Sequence, residues 1–388
     1  MTSKQPAIDA CYFDAPFDRS GTHSMRWEKY AGRDVIPLWV ADTDFRAPPA
    51  VIDALRARVE HGIFGYTSPP PALRAAIVER MSALYGWRIA PDWIVFLPGV
   101  VSALYMAANR LCEPGEHVLT PSPVYYHLFR AARSAPRPWT EVPMLLQSGR
   151  WVWDEAALEA AVRPDSRLLM LCNPHNPGGT IFTRAELERL AAFAARHRLL
   201  IISDEIHCDL LLDAGKPHVP IAALGQDVSR RTVTLMAPSK TFNIAGNGLA
   251  YAIVEDPALR EAFSFDLKKS VHDAGLFGYE AALAAYRDGG PWLEAQLDYL
   301  RGNRDLVERT VAGVPGLRMA HLEATYLAWI DCSGLGLPDP QAHFLAHGLG
   351  LSPGADFGSP QYVRLNFGTR RALLEEAMAR LVKAVRAA

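Results

Sequence analysis

Leu168-Leu-Met-Leu-Cys172-Asn-Pro-His-Asn-Pro-Gly-Gly179, then residues 184–197 at helical spacing, then Leu199-Leu-Ile-Ile-Ser-Asp204-Glu-Ile-His207, is the stretch that decides the fold. The two apolar runs are short and continuous, as strands buried on both faces are. Two Asn-Pro steps and two glycines after the first run enforce a fixed, non-helical turn. The apolar residues of 184–197 then recur every three or four positions, which predicts an amphipathic helix. Strand, helix, strand is the unit that builds parallel sheets.

The same alternation extends in both directions. Residues 117–120, 232–236 and 249–254 read as further buried strands, and 93–97 as a short apolar run ending at Pro98-Gly99. Residues 50–60, 72–85, 100–111 and 155–162 read as helices. Such alternation over more than 150 residues predicts an α/β architecture, a mostly parallel sheet between helices. After Pro291 the pattern changes to a long helix over 291–312, strand-like runs at 326–331 and 362–366, and a last helix over 371–385. That predicts a smaller α+β domain. The irregular first 45 or so residues are expected to pack on it, giving a large domain over 48–290 and a small one from 1–47 with 291–388.

Composition narrows the class. The 388 residues are 49% hydrophobic with a formal net charge of −2, enough for a large core and no support for a nucleic-acid partner. No run approaches the roughly 18 apolar residues of a membrane span. Met1 to Asp14 lacks a basic start followed by an apolar stretch, so no signal peptide is expected. Cys11, Cys112, Cys172, Cys208 and Cys332 are odd in number and form no Cys-x-x-Cys pair, which fits reduced thiols in a cytoplasm. His343-x-x-x-His347 would put two imidazoles on one helical face, but no Glu follows His343 and no third ligand stands out. An exposed helix without metal is expected there.

Ligands of open α/β sheets sit outside the carboxyl ends of the strands, so the residues just after each strand matter most. Lys240 lies in such a turn, Ala237-Pro-Ser-Lys240-Thr-Phe-Asn243. Most lysines are solvated surface groups, but Pro238, Phe242 and Ile244 are poor company for a surface turn. An amine held among them loses proton affinity and becomes a nucleophile toward carbonyls. Asp204 closes an apolar strand, as a helix cap or as a charge aimed into the crevice. His207 follows three residues on, with a satisfied buried imidazole as its ordinary role. Asn176 in its rigid turn offers an amide donor. Pro98-Gly99-Val100-Val101-Ser102 opens a helix directly after a strand, where free N–H groups and the helix dipole suit a phosphate.

Taken in order, these motifs resemble the fold-type I pyridoxal 5′-phosphate (PLP) enzymes, the aspartate aminotransferase superfamily. They are the Gly turn, Asn-Pro-x-Asn-Pro-Gly, Ser-Asp-Glu, Ser-Lys and a late Arg in Val363-Arg364-Leu365-Asn366, spread over roughly residues 35–370. Pro37-Leu-Trp-Val-Ala-Asp42-Thr-Asp44-Phe45, Phe64-Gly65-Tyr66, Ser203-Asp-Glu-Ile-His207, Pro238-Ser-Lys-Thr-Phe-Asn243 and Thr325-Tyr-Leu-Ala-Trp329 are similar, more finely, to the MalY/PatB-type cystathionine β-lyases. The wider superfamily typically has Tyr where His207 stands and Arg where Gly248 stands.

The resemblance implies a role for each matching residue. Lys240 would be the Schiff-base lysine that also moves the Cα proton, and Asp204 the partner of the pyridinium nitrogen. Asn176, with His207 beside it, would donate to the ring 3-oxygen, and Tyr125 would stack on the ring. Val100 and Val101 would cradle the phosphate. Arg364 would clamp the substrate α-carboxylate, for which a planar fork is suited. Tyr66 would reach the phosphate of a neighbouring subunit, implying a homodimer. With Ala237 and Gly248 the phosphate has fewer side-chain donors than in relatives, and Ser239 is expected to compensate. The implied activity is carbon–sulfur β-elimination, cleaving cystathionine or another S-substituted cysteine to a thiol, pyruvate and ammonia. The alternative is a class I/II aminotransferase, which would use the same residues.

Overall fold

The computed structural model describes residues 8–16 and 18–388; residues 1–7, part of the stretch read as lacking a signal peptide, lie outside it. Its centre is an eight-stranded sheet. The strands are β1 (Ile94–Leu97), β2 (His117–Ser122), β3 (Trp139–Gln147), β4 (Arg150–Trp153), β5 (Ser166–Cys172), β6 (Leu200–Asp204), β7 (Thr232–Met236) and β8 (Ala250–Ile253). Their spatial order is β1-β8-β7-β6-β5-β2-β3-β4. The run β7-β6-β5-β2-β3 is parallel, whereas β8 opposes both its neighbours and β4 opposes β3. The sheet is thus mostly parallel, as the alternation predicts.

Both faces are buried, which is why the strands read as continuous apolar runs rather than as alternations. Along β5, Leu168 and Met170 pack with Val233, Leu235 and the helix Val100–Arg110 on one side. Leu169 and Leu171 point the other way, toward Leu187 and Leu190 of the helix Arg184–Arg196. That helix starts on a capping box in which Thr183 accepts from Glu186 N–H and the Glu186 carboxylate accepts from Thr183 N–H.

A four-stranded antiparallel sheet holds β9 (Arg318–Met319), β10 (Leu327–Asp331), β11 (Ser352–Pro353) and β12 (Tyr362–Asn366). Leu300, Val307 and Val311 of the helix Gly290–Ala312 and Leu374, Met378 and Leu381 of the helix Arg371–Val385 share a core with it. The N-terminal stretch joins the same core. Ile36–Pro37 pairs in parallel with Leu349–Gly350, and Phe13 lies edge-on to Phe45 with ring centroids 5.1 Å apart.

Two details differ from the sequence reading. The β3–β4 hairpin was not anticipated; its strands are half-exposed, so neither a continuous apolar run nor a helical period marks it. His343 and His347 do not stand on an exposed helix. Both are half-buried, and their rings bond the backbone carbonyls of Ala384 and His343, at 2.9 Å each, which uses a nitrogen of each ring structurally. Among the described residues no helix is long and apolar enough to cross a membrane.

Candidate active site

Because β1, β5, β6 and β7 run the same way, Leu97, Cys172, Asp204 and Met236 all end at one edge of the sheet. The loops that follow enclose a cavity of about 200 Å³ lined by Val100, Val101, Tyr125, Asn176, Asp204, His207, Ser239 and Lys240. Eight residues named from sequence therefore meet in one place. Larger grooves elsewhere on the surface contain none of them and gather no comparable set of buried charges.

Lys240 sits on a single helical turn, Pro238–Thr241, directly after β7. Its Nζ donates to the Ala41 carbonyl at 2.6 Å, and Tyr326 Oη donates to the same oxygen at 3.1 Å. Burial foremost, opposed by Asp42 and Asp204 and aided by Arg364, brings the ammonium pKa down to about 8. At mildly alkaline pH the amine is therefore substantially neutral and nucleophilic. The protein, free of any bound aldehyde, is expected to form a borohydride-trappable imine at Lys240 with a simple aldehyde. The trapping rate should rise with pH about a midpoint near 8, well below the roughly 10.4 of an unperturbed lysine. Peptide mapping across a pH series would measure it, and a midpoint near the ordinary value would contradict the buried geometry.

Asp204 is 2% exposed. Burial pushes its carboxyl up to about 7, against a hydrogen bond from Ile206 N–H at 3.2 Å that favours the charged form. No cationic side chain bonds it among the described residues. His207 is also 2% exposed. Burial, then the charges of Lys240 and Arg364, push its pKa down to about 3, so its ring is neutral, and its Nδ1 has no hydrogen-bond partner.

Asn176 and Arg364 form one unit: Arg364 Nη1 donates to Asn176 Oδ1 at 3.1 Å. Arg364 Nη2 donates to the Trp39 carbonyl at 3.0 Å and to Ser352 Oγ at 3.4 Å, and the Phe357 ring packs 4.6 Å from the guanidinium carbon. The guanidinium is 4% exposed, and its Nε lacks a partner. Burial lowers its pKa to about 10, so it is cationic yet bonded only to neutral acceptors. A desolvated cation without a counter-ion is unfavourable unless an anion joins it.

The helix Val100–Arg110 begins at Gly99 with no side-chain cap, and Gly99 to Ser102, whose N–H groups have no partner within the helix, line the cavity. Tyr66 does not line the cavity. It is fully exposed, in a stretch without regular secondary structure that also exposes Ile63 and Phe64.

Several contributors were given no role by the sequence reading: the Ala41 and Trp39 carbonyls, Ser352 and Tyr326. The Pro37–Phe45 stretch carried a motif but no chemical reason to enter the site. Asn243 supplies that reason. It sits at φ +53°, accepts from Thr43 N–H at 3.0 Å and donates to the Thr43 and Phe45 carbonyls at 3.0 and 2.7 Å. Asn tolerates this left-handed backbone better than most residues. It ties the lysine loop to the segment whose carbonyl meets Lys240.

The family model for class I and II aminotransferases matches residues 33–381. The chain is 38% identical to cystathionine beta-lyase PatB of Bacillus subtilis (strain 168), over 96% of this chain and 99% of the relative. Among solved structures, that of OvoB superposes with a TM-score of 0.95 at 48% identity, covering 97% of this chain and 99% of the other. That of cystalysin from Treponema denticola, described as containing a pyridoxal 5′-phosphate cofactor, gives 0.92 at 29%, covering 97% and 98%. The chain belongs to the class I and II aminotransferase family, and within it groups with the cystathionine β-lyases.

Proposed function

We propose that this protein is a PLP-dependent carbon–sulfur β-lyase that converts cystathionine or another S-substituted cysteine to a thiol, pyruvate and ammonia. The observation that carries the reading is the buried, neutral-bonded guanidinium of Arg364 beside the buried amine of Lys240, a site for an amino acid's carboxylate next to a base.

The cavity's unmet groups fit the cofactor. Asp204 lacks a cation, as the partner of a protonated ring nitrogen would before binding. The orphaned Nδ1 of His207 and the amide of Asn176, both on the cavity lining, would suit a ring oxygen as partners. The uncapped N–H groups at Val100 and Val101, with the Ser239 hydroxyl, suit a phosphate. Tyr125 offers the face for stacking. Once bound, PLP supplies an aldehyde carbon and an electron-withdrawing ring.

The remaining chemistry belongs to the chain. Arg364 holds the substrate α-carboxylate in a fixed plane. Lys240 Nζ, neutral once its proton is lost, takes the Cα proton. Asp204 keeps the proton on the ring nitrogen as charge develops. The Cβ–S bond breaks and the sulfur leaves as a thiolate; the aminoacrylate released is hydrolysed by water to pyruvate and ammonia.

Elimination is favoured over amino transfer by the match to PatB, and Arg364, bonded to Asn176, is the one arginine that reaches a residue of the described cavity lining through a hydrogen bond. An aminotransferase using a dicarboxylic 2-oxo acid would want a second. Incubation with an S-substituted cysteine and no 2-oxo acid should release pyruvate and thiol at least about tenfold faster than alanine plus 2-oxoglutarate yields glutamate, roughly 1.4 kcal/mol in barrier. Rapid glutamate formation without pyruvate would make the protein an aminotransferase instead.

The same proposal includes a homodimer in which Tyr66 reaches the phosphate of the second copy. It also includes a cytoplasmic location and the two-domain division at residues 48 and 290. The exposed apolar stretch around Tyr66 supports the dimer.

A further inference from the structure

The segment after β6 alternates in what it faces. Asp204 and His207 turn into the cavity, and Glu205 and Asp209 turn away. Glu205 accepts from His218 Nε2 at 2.7 Å, in a pair closed from solvent. Asp209 has a different partner set. One carboxylate oxygen takes an ion pair from Arg80 Nη2, and the other accepts from Thr241 Oγ1 at 2.9 Å. Thr241 follows Lys240 in sequence and is fully buried. Its carbonyl accepts from Gln296 Nε2 at 3.0 Å, and Gln296 is fully buried on the helix Gly290–Ala312. Arg80, on the helix Pro71–Tyr85, is itself fixed, its guanidinium carbon 4.9 Å from the centre of the Tyr286 ring.

The lysine turn is therefore pinned at both polar ends of its last residue, by the Asp204–His207 segment and by the long helix. We propose that Asp209, anchored by Arg80 and bonded to the Thr241 hydroxyl, is a positioning residue that fixes Lys240 relative to Asp204 and His207. This rests on the function proposed above. A single turn of four residues has little internal stiffness, so its orientation must be set by what holds it. Proton transfer from Cα is sensitive to small displacements of the base; about 1 Å can cost about 100-fold. Asp209 touches neither substrate nor cofactor and acts only through Thr241.

The test compares Thr241→Val, Thr241→Ser and the parent holoenzyme. It reads Cα-proton exchange of L-alanine in heavy water, KM for an S-substituted cysteine, thermal midpoint, and the rate of borohydride-trappable labelling of Lys240 when cofactor is added back to stripped protein. Val keeps the volume and removes the donor; Ser keeps the donor. Thr241→Val should slow exchange about 30- to 100-fold and slow labelling of Lys240, with KM and the thermal midpoint near those of the parent. Thr241→Ser should recover most of both rates. Thr241→Ala, which also lacks the donor, takes the place of Val if Val does not fold. Exchange and labelling within about threefold of the parent in a folded donorless variant, or a Ser variant as slow as Val, would overturn the proposal. A parent enzyme that is not labelled at Lys240 would instead overturn the functional reading, so the two failures are distinct.

Discussion

Lys240→Ala is expected to abolish pyruvate release, by at least about 10⁴-fold in kcat, while the protein stays folded. In the proposed reaction the amine is needed twice, to bind the cofactor carbonyl and to take the Cα proton, and no other lysine lines the described cavity. The fold should tolerate the change, because the side chain brings a desolvated charge whose pKa is already depressed to about 8. Its replacement removes a burial cost rather than a supporting contact, and the one hydrogen bond lost is to the Ala41 carbonyl. Circular dichroism melting beside the assay separates the two effects. Borohydride reduction of the parent followed by peptide mapping should label Lys240. Label on any other lysine would falsify the assignment.

Asp204→Asn is expected to lower kcat by about 10²–10³-fold, the scale on which a single preorganised electrostatic group contributes, with a smaller loss of cofactor affinity. Asn keeps an oxygen for Ile206 N–H and loses the charge. The ligand-free protein gives an independent check with the opposite sign. Burial raises the folded pKa of Asp204 to about 7, against roughly 3.9 for an unperturbed aspartate. Between those values the folded state holds more protons than the unfolded one, so this group's contribution to stability falls as pH rises through that window. Removing the carboxyl should remove that share of the decline, leaving ligand-free Asp204→Asn less sensitive between pH 4 and pH 7 than the parent. Near-parental turnover in the variant would mean that another group holds the ring nitrogen.

The parts of the site legible in the sequence were those set by local chain direction. Lys240, Asp204 and Asn176 each follow an apolar strand, and parallel strands end together, so their meeting could be expected from pattern alone. Arg364, Tyr125 and Tyr66 carried no local signal of that kind and entered only through resemblance. Arg364 lies in the antiparallel sheet, nearly 190 residues from Asn176, and no periodicity reports such a contact. Backbone groups were invisible for a simpler reason: a carbonyl has no residue type, so Ala41 and Trp39 could not be singled out. Asp209 and Thr241 were hidden by their neighbours, since the flanking Asp204 and Lys240 drew the chemical reading. The β3–β4 hairpin was missed because half-exposed strands with a proline, Pro143, have a weak apolar signature.

One wall of the cavity is built from the two ends of the chain. Asn366 Nδ2 donates to the Val40 and Asp42 carbonyls, Arg26 Nε donates to the Pro37 carbonyl, and Arg364 reaches the Trp39 carbonyl. Segment 37–45 is thus clamped from just before it by Arg26 and from more than 300 positions later by Arg364 and Asn366, and it presents the oxygen that meets Lys240. During synthesis the central sheet can be complete when β8 has emerged, yet Asn176 still lacks its bond from Arg364, and the segment carrying Ala41 lacks its brace, until residue 366 is added. A nascent chain stalled before that point would carry the lysine, the aspartate and the helix N-terminus in an open trough. In the proposed reading, competence for substrate waits on Arg364 and Asn366, so a chain truncated just before Arg364 should read as loss of substrate binding before loss of the sheet.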